Sequence, residues 1–292
     1  MKNGFVSILG RPNVGKSTLL NALLSKKVSI VSPKAQTTRD AISGILNEKD
    51  YQIVFVDTPG IFYGKEKLYS IMKKTAFESS RDVNAIIYMV DASTKSLDED
   101  IKIYNSINSD APRIVVLNKI DLVRAEEAAK EKEILKESMK MDVLLEASIK
   151  ENFGLKEIKA ALYSYLEEGE PFYPNDMITD KDKSYQAKEI IRGKLLHFLR
   201  QEIPHQCAVV ISSFKENEEK IDISAKIITE KENQKGIIIG KNGSMIKAIK
   251  TSAKKEMETS WHKNVANLKI EVETDPGWRD SIKKLIEYGY GE

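Results

Sequence analysis

The sequence predicts an α/β domain built on a mostly parallel sheet, followed by a smaller α+β domain. Three observations lead there: short apolar runs alternate with helical patterns through the first half, a break rich in glycine and proline lies near residue 170, and helices and strands follow a different order beyond it. At 292 residues the chain can form two domains of ordinary size, each closing its own apolar core.

The buried strands of the first domain are FVSIL (Phe5 to Leu9), YQIVFV (Tyr51 to Val56), AIIYMV (Ala85 to Val90), RIVVL (Arg113 to Leu117) and a shorter one from Val143 to Leu145. Polar motifs follow their ends. In open α/β sheets ligands bind outside the carboxyl ends of the strands, so these motifs mark the candidate site. Arg124 to Lys140 and Leu155 to Leu166 have the spacing of covering helices. Gly169, Pro171 and Pro174 then interrupt the pattern, which predicts a first domain over 1–172, a linker over 173–183 and a second domain over 184–292. Within the last, a helix is expected at Ser184 to Arg200, strands at Cys207 to Phe214 and Lys220 to Ile228, and helices on either side of Gly240 to Gly243. A strand at Leu268 to Glu273 and a helix near Asp280 to Tyr288 close the chain.

Composition narrows the function classes. No secretory signal or membrane-spanning run is visible, and Cys207 is a lone cysteine, so a soluble, cytoplasmic protein without disulfides or a zinc site is expected. Net charge is only +2, but its distribution is uneven. From Lys181 onward there are 21 Lys plus Arg against 17 Asp plus Glu, and the stretch from Lys235 to Lys255 holds six lysines and no acid. That is a local positive field.

The first strand runs into Gly10-Arg11-Pro12-Asn13-Val14-Gly15-Lys16-Ser17, a phosphate-binding loop, and then into a helical segment beginning at Thr18. Its glycines let successive N–H groups point at phosphate oxygens, and the helix start adds its positive end. Lys16 would neutralise the β and γ phosphates, and Ser17 would offer its hydroxyl to Mg²⁺. Such a loop alone fits an ATPase, a small-molecule kinase or a GTPase. Asn118-Lys119-Ile120-Asp121 separates them. A carboxylate at Asp121 accepts two hydrogen bonds from the N1–H and N2–H₂ edge of guanine, whereas adenine would strand it in a desolvated pocket. Asn118 would tie this segment to the phosphate loop, and the Lys119 stem would cover one face of the base.

Asp57-Thr58-Pro59-Gly60 matches a DxxG element. Asp57 would hold Mg²⁺ through a water, and the Gly60 N–H would meet the γ-phosphate and sense its presence. In the polar stretch Lys34-Ala35-Gln36-Thr37-Thr38-Arg39 one threonine should join the metal in the GTP state: Thr38, with Thr37 its nearest rival. Lys16, Thr38 and Gly60 form the expected catalytic set. Ile61 follows Gly60 and cannot orient water by hydrogen bonding, so slow intrinsic hydrolysis is expected.

In the second half, Gly236-Ile237-Ile238-Ile239-Gly240-Lys241-Asn242-Gly243 precedes SMIKAIKTSAKKEM, a GxxG loop opening a basic helix. GxxG by itself is an ordinary turn. Here the flanking helix and strand order and the lysines make it a candidate clamp for about four single-stranded nucleotides. Gly236, Ile239, Gly240, Lys241, Asn242, Gly243, Lys247 and Lys250 are the expected RNA contacts. His197, His205 and His262 are scattered without ligand spacing, and Trp261 and Trp278 are expected to pack rather than stack on bases.

GRPNVGKS, QTTR, DTPG and NKID, in that order, resemble the TrmE/Era group of GTPases. SYQAKEIIRGKLLHFLRQEIP, GIIIGKNGSMIKAIK and the closing PGWRD and YGYG resemble the type II KH domain that ends members of the Era family. The resemblance covers essentially the whole chain. It implies a P-loop GTPase domain plus a KH domain, GTP/GDP and Mg²⁺ as cofactors, and a monomer that binds the 3′ end of 16S ribosomal RNA and assists 30S subunit assembly, with peripheral contact to the inner membrane. It also implies a last base-contacting loop that usually reads Ser-Ala. Here Glu146-Ala147-Ser148 aligns with it, Ala147 being the expected backbone donor to guanine O6 and Ser148 the fallback. The alternative reading is a GTP-regulated adaptor whose KH fold docks on a protein or membrane partner.

Overall fold

The computed structural model of the chain describes all residues except 33, 35–36, 62–65 and 291–292. Ala35 and Gln36 of the expected metal-sensing stretch and Gly291 of the closing YGYG thus lie outside the described residues. The chain divides into two compact units at Asp180 and Lys181, inside the stretch expected to be linker; residues 66–68 group with the second unit.

The first unit runs β1 (Lys2–Gly10), α1 (Lys16–Leu24), β2 (Ile42–Asn47), β3 (Tyr51–Asp57), α2 (Lys67–Glu78), β4 (Ala85–Asp91), α3 (Asp98–Asn105), β5 (Arg113–Asn118), α4 (Ala125–Ser138), β6 (Val143–Ala147), α5 (Leu155–Tyr163) and β7 (Glu167–Glu168). Its sheet has the order β2-β3-β1-β4-β5-β6. From β3 to β6 every neighbouring pair is parallel, and β2 joins β3 antiparallel. The central strands are apolar on both faces because helices cover both. Val6, Ile8, Ile87 and Val116 pack with Leu19 and Leu20 of α1 and Ile158 of α5, while Leu9, Tyr88 and Val115 pack with Ile103 of α3 and Leu135 of α4. This arrangement sends the carboxyl ends of β1, β3, β5 and β6 toward one rim.

β2 escaped the sequence reading. ISGILN lacks alternation, and its Gly44 sits where a Cβ would lie 2.6 Å from Leu20 and 2.7 Å from Leu24 of α1. Residues 172–178 run beside β2 and β3. Phe172 and Tyr173 donate backbone N–H groups to Gln52 Oε1 at 2.8 and 3.0 Å, and Gln52 Nε2 donates to Tyr173 O at 2.8 Å. Asn47 Nδ2 donates to Met177 O at 3.0 Å and the Ile45 N–H to Ile178 O at 2.9 Å.

The second unit runs α6 (Lys183–Phe198), β8 (Ala208–Glu216), β9 (Lys220–Thr229), α7 (Glu232–Ile239), α8 (Ser244–Trp261), β10 (Asn264–Thr274) and α9 (Ile282–Glu287), the order expected from the sequence. Its sheet is β10-β9-β8, with β8 antiparallel and β10 parallel to β9. Buried and partly exposed residues alternate along β9, as in a sheet covered on one face. Ile191 and Leu195 of α6 and Ile249, Ala253 and Met257 of α8 form the cover over Ile221, Ile223 and Ile227. Trp278 is fully buried and stacks on Tyr290 with centroids 5.8 Å apart, while Trp261 Nε1 donates to Gln186 Oε1 at 2.9 Å. Both tryptophans pack, as expected.

Candidate functional site

The phosphate loop joins β1 to α1 through two glycines with φ of +142° at Gly10 and +109° at Gly15, values that side-chain-bearing residues rarely adopt. Space is short as well: a Cβ at Gly10 would lie 2.5 Å from Met89 O, and one at Gly15 would run into Asn118 Nδ2. Lys16, only 6% exposed, directs Nζ to Gly10 O at 3.1 Å and Arg11 O at 2.8 Å. Burial pulls its ammonium down to about 8 despite the attraction of Asp57 and Asp100. An anion held in this loop would compensate that burial. Pro12, Asn13, Lys16, Ser17, Thr18, Thr38 and Gly60 line one open cleft. Arg11 points elsewhere, to Asp100 at 3.1 Å and Glu99 at 2.8 Å on α3, so its guanidinium ties the loop to the helix layer. Burial lifts the Asp100 carboxyl to about 6 even against this pairing.

At the end of β3, two hydroxyl groups bond one carboxylate and a third bonds one of those hydroxyls. Ser17 Oγ donates to Asp57 Oδ2 at 2.7 Å, Ser29 Oγ donates to the same oxygen at 2.8 Å, and Thr38 Oγ1 lies 2.8 Å from Ser17 Oγ. Thr37 also borders the cleft, but its hydroxyl donates to Lys34 O at 2.6 Å. Of the two rivals, Thr38 is the one whose hydroxyl meets Ser17. The set is all oxygen, with a single carboxylate, which suits Mg²⁺ completing its shell with phosphate and water. Among the described residues no group of three or more His, Cys, Asp or Glu could hold a metal ion. Gly60 is pressed against the loop, with a Cβ there falling 2.7 Å from Pro12 Cα, and the Ile61 N–H donates to Gly10 O at 3.1 Å. The Ile61 side chain is fully buried in the core and offers the cleft no polar group.

The segment after β5 is tied to the phosphate loop by Asn118. Its Nδ2 donates to Val14 O at 2.8 Å and its Oδ1 accepts from the Ile149 N–H at 3.1 Å, linking the phosphate loop to the segment after β6. Lys119 has φ of +64° and pairs with Asp91 at 2.5 Å. Asp121 accepts from Ser148 Oγ at 2.5 Å, yet is itself exposed rather than desolvated. Ala147 is the last residue of β6. The parallel ladder of β5 and β6 continues through the pair Asn118 and Ala147, and Ala147 is fully buried. The first side chain to reach Asp121 is Ser148, and the first backbone N–H to reach Asn118 is that of Ile149.

In the second unit, Gly240 to Gly243 form a tight turn between α7 and α8, with φ of +72° at Gly240, +52° at Asn242 and +74° at Gly243. The turn is closed by the Gly243 N–H on Gly240 O at 3.1 Å. Lys241, Asn242, Lys247 and Lys250 are exposed, and Ile239 is partly so. Gly236 lies inside α7, a full turn before the loop, where a Cβ would meet nothing within 4 Å. Its freedom is not needed there. Sequence reasoning missed Ser29 and Asn21, since a serine or asparagine near a helix end carries no distinctive spacing.

Comparison with known proteins agrees with both halves. Residues 5–119 match the family model of the 50S ribosome-binding GTPases and residues 202–279 that of the KH domain. The GTPase Era of Caldanaerobacter subterraneus subsp. tengcongensis is 44% identical over 290 residues, covering 98% of this chain and 97% of that protein. The GTPase Era of Fusobacterium nucleatum is 42% identical over 297 residues, with full coverage of both. Two solved structures superpose with a TM-score of 0.94 at 38% identity over the whole of both chains. One is an Aquifex aeolicus Era variant bound to GDP and aluminium fluoride, and the other is Era with MgGDPNP and nucleotides 1506–1542 of 16S ribosomal RNA. Likeness of this extent, carried by the catalytic half and the RNA-binding half together, makes the chain a member of the Era family of GTPases.

Proposed function

We propose that this GTPase is a Mg²⁺-dependent switch that binds the 3′ region of small-subunit ribosomal RNA and assists 30S subunit assembly. The observation that carries the switch is the meeting of Ser17, Thr38 and Asp57, residues from three separate motifs, beside Lys16. Ser17 and Thr38 would supply hydroxyl ligands to the metal, and Asp57 would hold it through a water. Lys16 and the loop amides hold the β and γ phosphates, and the Gly60 N–H reports on the γ-phosphate. A Mg²⁺ held there would supply positive charge against that developing on the phosphate oxygens during hydrolysis.

Guanine is read by Asp121, which Ser148 steers and which a base laid across it would remove from water. The O6 donor expected at Ala147 or Ser148 is a backbone N–H of this segment, and that of Ile149 is the one already turned toward the Asn118 side chain. With Ile61 buried, no side chain at that position orients the attacking water, and hydrolysis relies on backbone positioning or a partner. RNA is held at Gly240 to Gly243 and along Lys247 and Lys250 of α8, and its identity follows from the 16S fragment bound by the related Era. Work in the cytoplasm, with peripheral contact to the inner membrane, is part of the same reading.

The test is RNA affinity measured with a GTP analogue and with GDP. Different values support the switch, and equal values remove it. An affinity that ignores salt and survives loss of Lys241 and Lys247 would favour the adaptor reading.

A further inference from the structure

The bond from Ser29 to Asp57 has no place among the nucleotide contacts above. Ser29 is 2% exposed and lies beyond the end of α1, where the chain turns through Ser25 in the left-handed region. One side chain of α1 fixes this stretch. Asn21 Oδ1 accepts the N–H groups of Val28 at 2.8 Å and Ser29 at 3.0 Å, and Asn21 Nδ2 donates to Ser29 O at 2.8 Å. Both acceptor positions of the amide oxygen are used on two successive residues, so the backbone at 28–29 is held to the helix that begins with Lys16 and Ser17. From that fixed backbone Ser29 Oγ donates to Asp57 Oδ2 at 2.8 Å in a buried setting.

Ser17 Oγ and Ser29 Oγ share Asp57 Oδ2, but Ser17 also faces Thr38 across 2.8 Å, whereas the hydroxyl of Ser29 is given only to the carboxylate. We infer that Ser29, held by Asn21, is a positioning residue that orients the Asp57 carboxylate for Mg²⁺ and thereby sets how strongly the metal retains nucleotide. This rests on the assignment of Asp57 to the metal. A hydroxyl donating to a buried carboxylate from a fixed backbone restricts its rotation, so the carboxylate meets the metal's shell in one orientation. Asn21 adds rigidity: without it, Ser29 would pay ordering entropy each time it met Asp57.

The experiment is release of a fluorescent GDP analogue from the full-length chain across a Mg²⁺ titration beginning in EDTA. For Ser29→Ala and for Asn21→Leu, the half-saturating Mg²⁺ concentration should rise about tenfold, the scale of one lost charge-assisted hydrogen bond, while release in EDTA stays at the wild-type rate. Ser29→Thr keeps the hydroxyl and should recover most of the Mg²⁺ dependence. A residue that only supports the fold would lower the melting temperature and speed release equally with and without metal, which would overturn the inference. So would a Ser29→Ala titration that coincides with wild type. Asp57→Asn separates the two levels. If it shifts the Mg²⁺ dependence and Ser29→Ala does not, the positioning role alone falls; if neither shifts it, the assignment of Asp57 falls as well.

Discussion

The two glycine loops of this protein bend for different reasons. In the first unit Gly15 is glycine because there is no room: Asn118 occupies the position its Cβ would take, and Asn118 in turn binds Val14 and Ile149. In the second unit Gly243 has nothing within 4 Å of that position, and only its φ of +74° asks for glycine. One loop is wired into a buried network that discriminates by hydrogen-bond complementarity. The other is an open turn flanked by exposed lysines, which holds a backbone by charge and close approach. A small ligand needs the first kind of site, and a long polyanion is served by the second.

The sharpest break in this comparison is Asp121→Asn. Losing two charge-assisted bonds to guanine should weaken GTP and GDP binding on the order of 10³-fold, in competition titrations, while RNA affinity of the nucleotide-free protein stays unchanged. A variant that kept its preference for guanine over adenine would remove the first half of the contrast. Next come the glycines themselves. Gly15→Ala should cost about 3 kcal/mol or more through clash and backbone strain together, whereas Gly243→Ala should cost about 1 kcal/mol from backbone strain alone. Thermal melts check this: equal shifts would contradict the difference in space.

A smaller effect is expected from Lys241→Ala with Lys247→Ala. RNA affinity should fall about tenfold at moderate salt, and the salt slope should flatten by about 0.7 for each single-strand phosphate that a lysine no longer neutralises, with GDP binding unaffected. The smallest is Glu131→Gln on α4. Burial, with Asp91, Glu127 and Asp100 nearby, raises its carboxyl from 4.5 to about 7. Because the folded value lies above the unfolded one, the ionised carboxyl costs stability in full above about pH 7, and the cost fades as pH falls to 4.5. Because the carboxyl is partly exposed and water screens much of this cost, the glutamine variant should be more stable by only on the order of 1 kcal/mol at pH 8 and no more stable than wild type at pH 4.5 in denaturant titrations.

How much of this was legible depends on whether a residue type has unusual chemistry at a fixed spacing. Glycines, Lys16, Asp57, Asn118 and Asp121 announce themselves because few other residues could replace them, and their strands are apolar enough to be found. Thr38 could be narrowed to two candidates; only the fold shows that Thr37 turns to Lys34 instead. The register of the segment after β6 was open between Ala147 and Ser148 because EAS offers no local mark of where a ladder stops. β2 was missed since Gly44 breaks its pattern for the sake of α1, and Ser29 because its importance lies in a contact 28 residues away.

Residues 172–178 bear on how the first unit could be made on its own. They hem β2, an edge strand whose unpaired amides and carbonyls would otherwise be open to any passing chain, and they satisfy Gln52, which has no contact with solvent. Cutting the protein at residue 171 would take away both partners of Gln52 Oε1 and bare a raw margin prone to self-association. A fragment carried through to Asp180 keeps its border sewn.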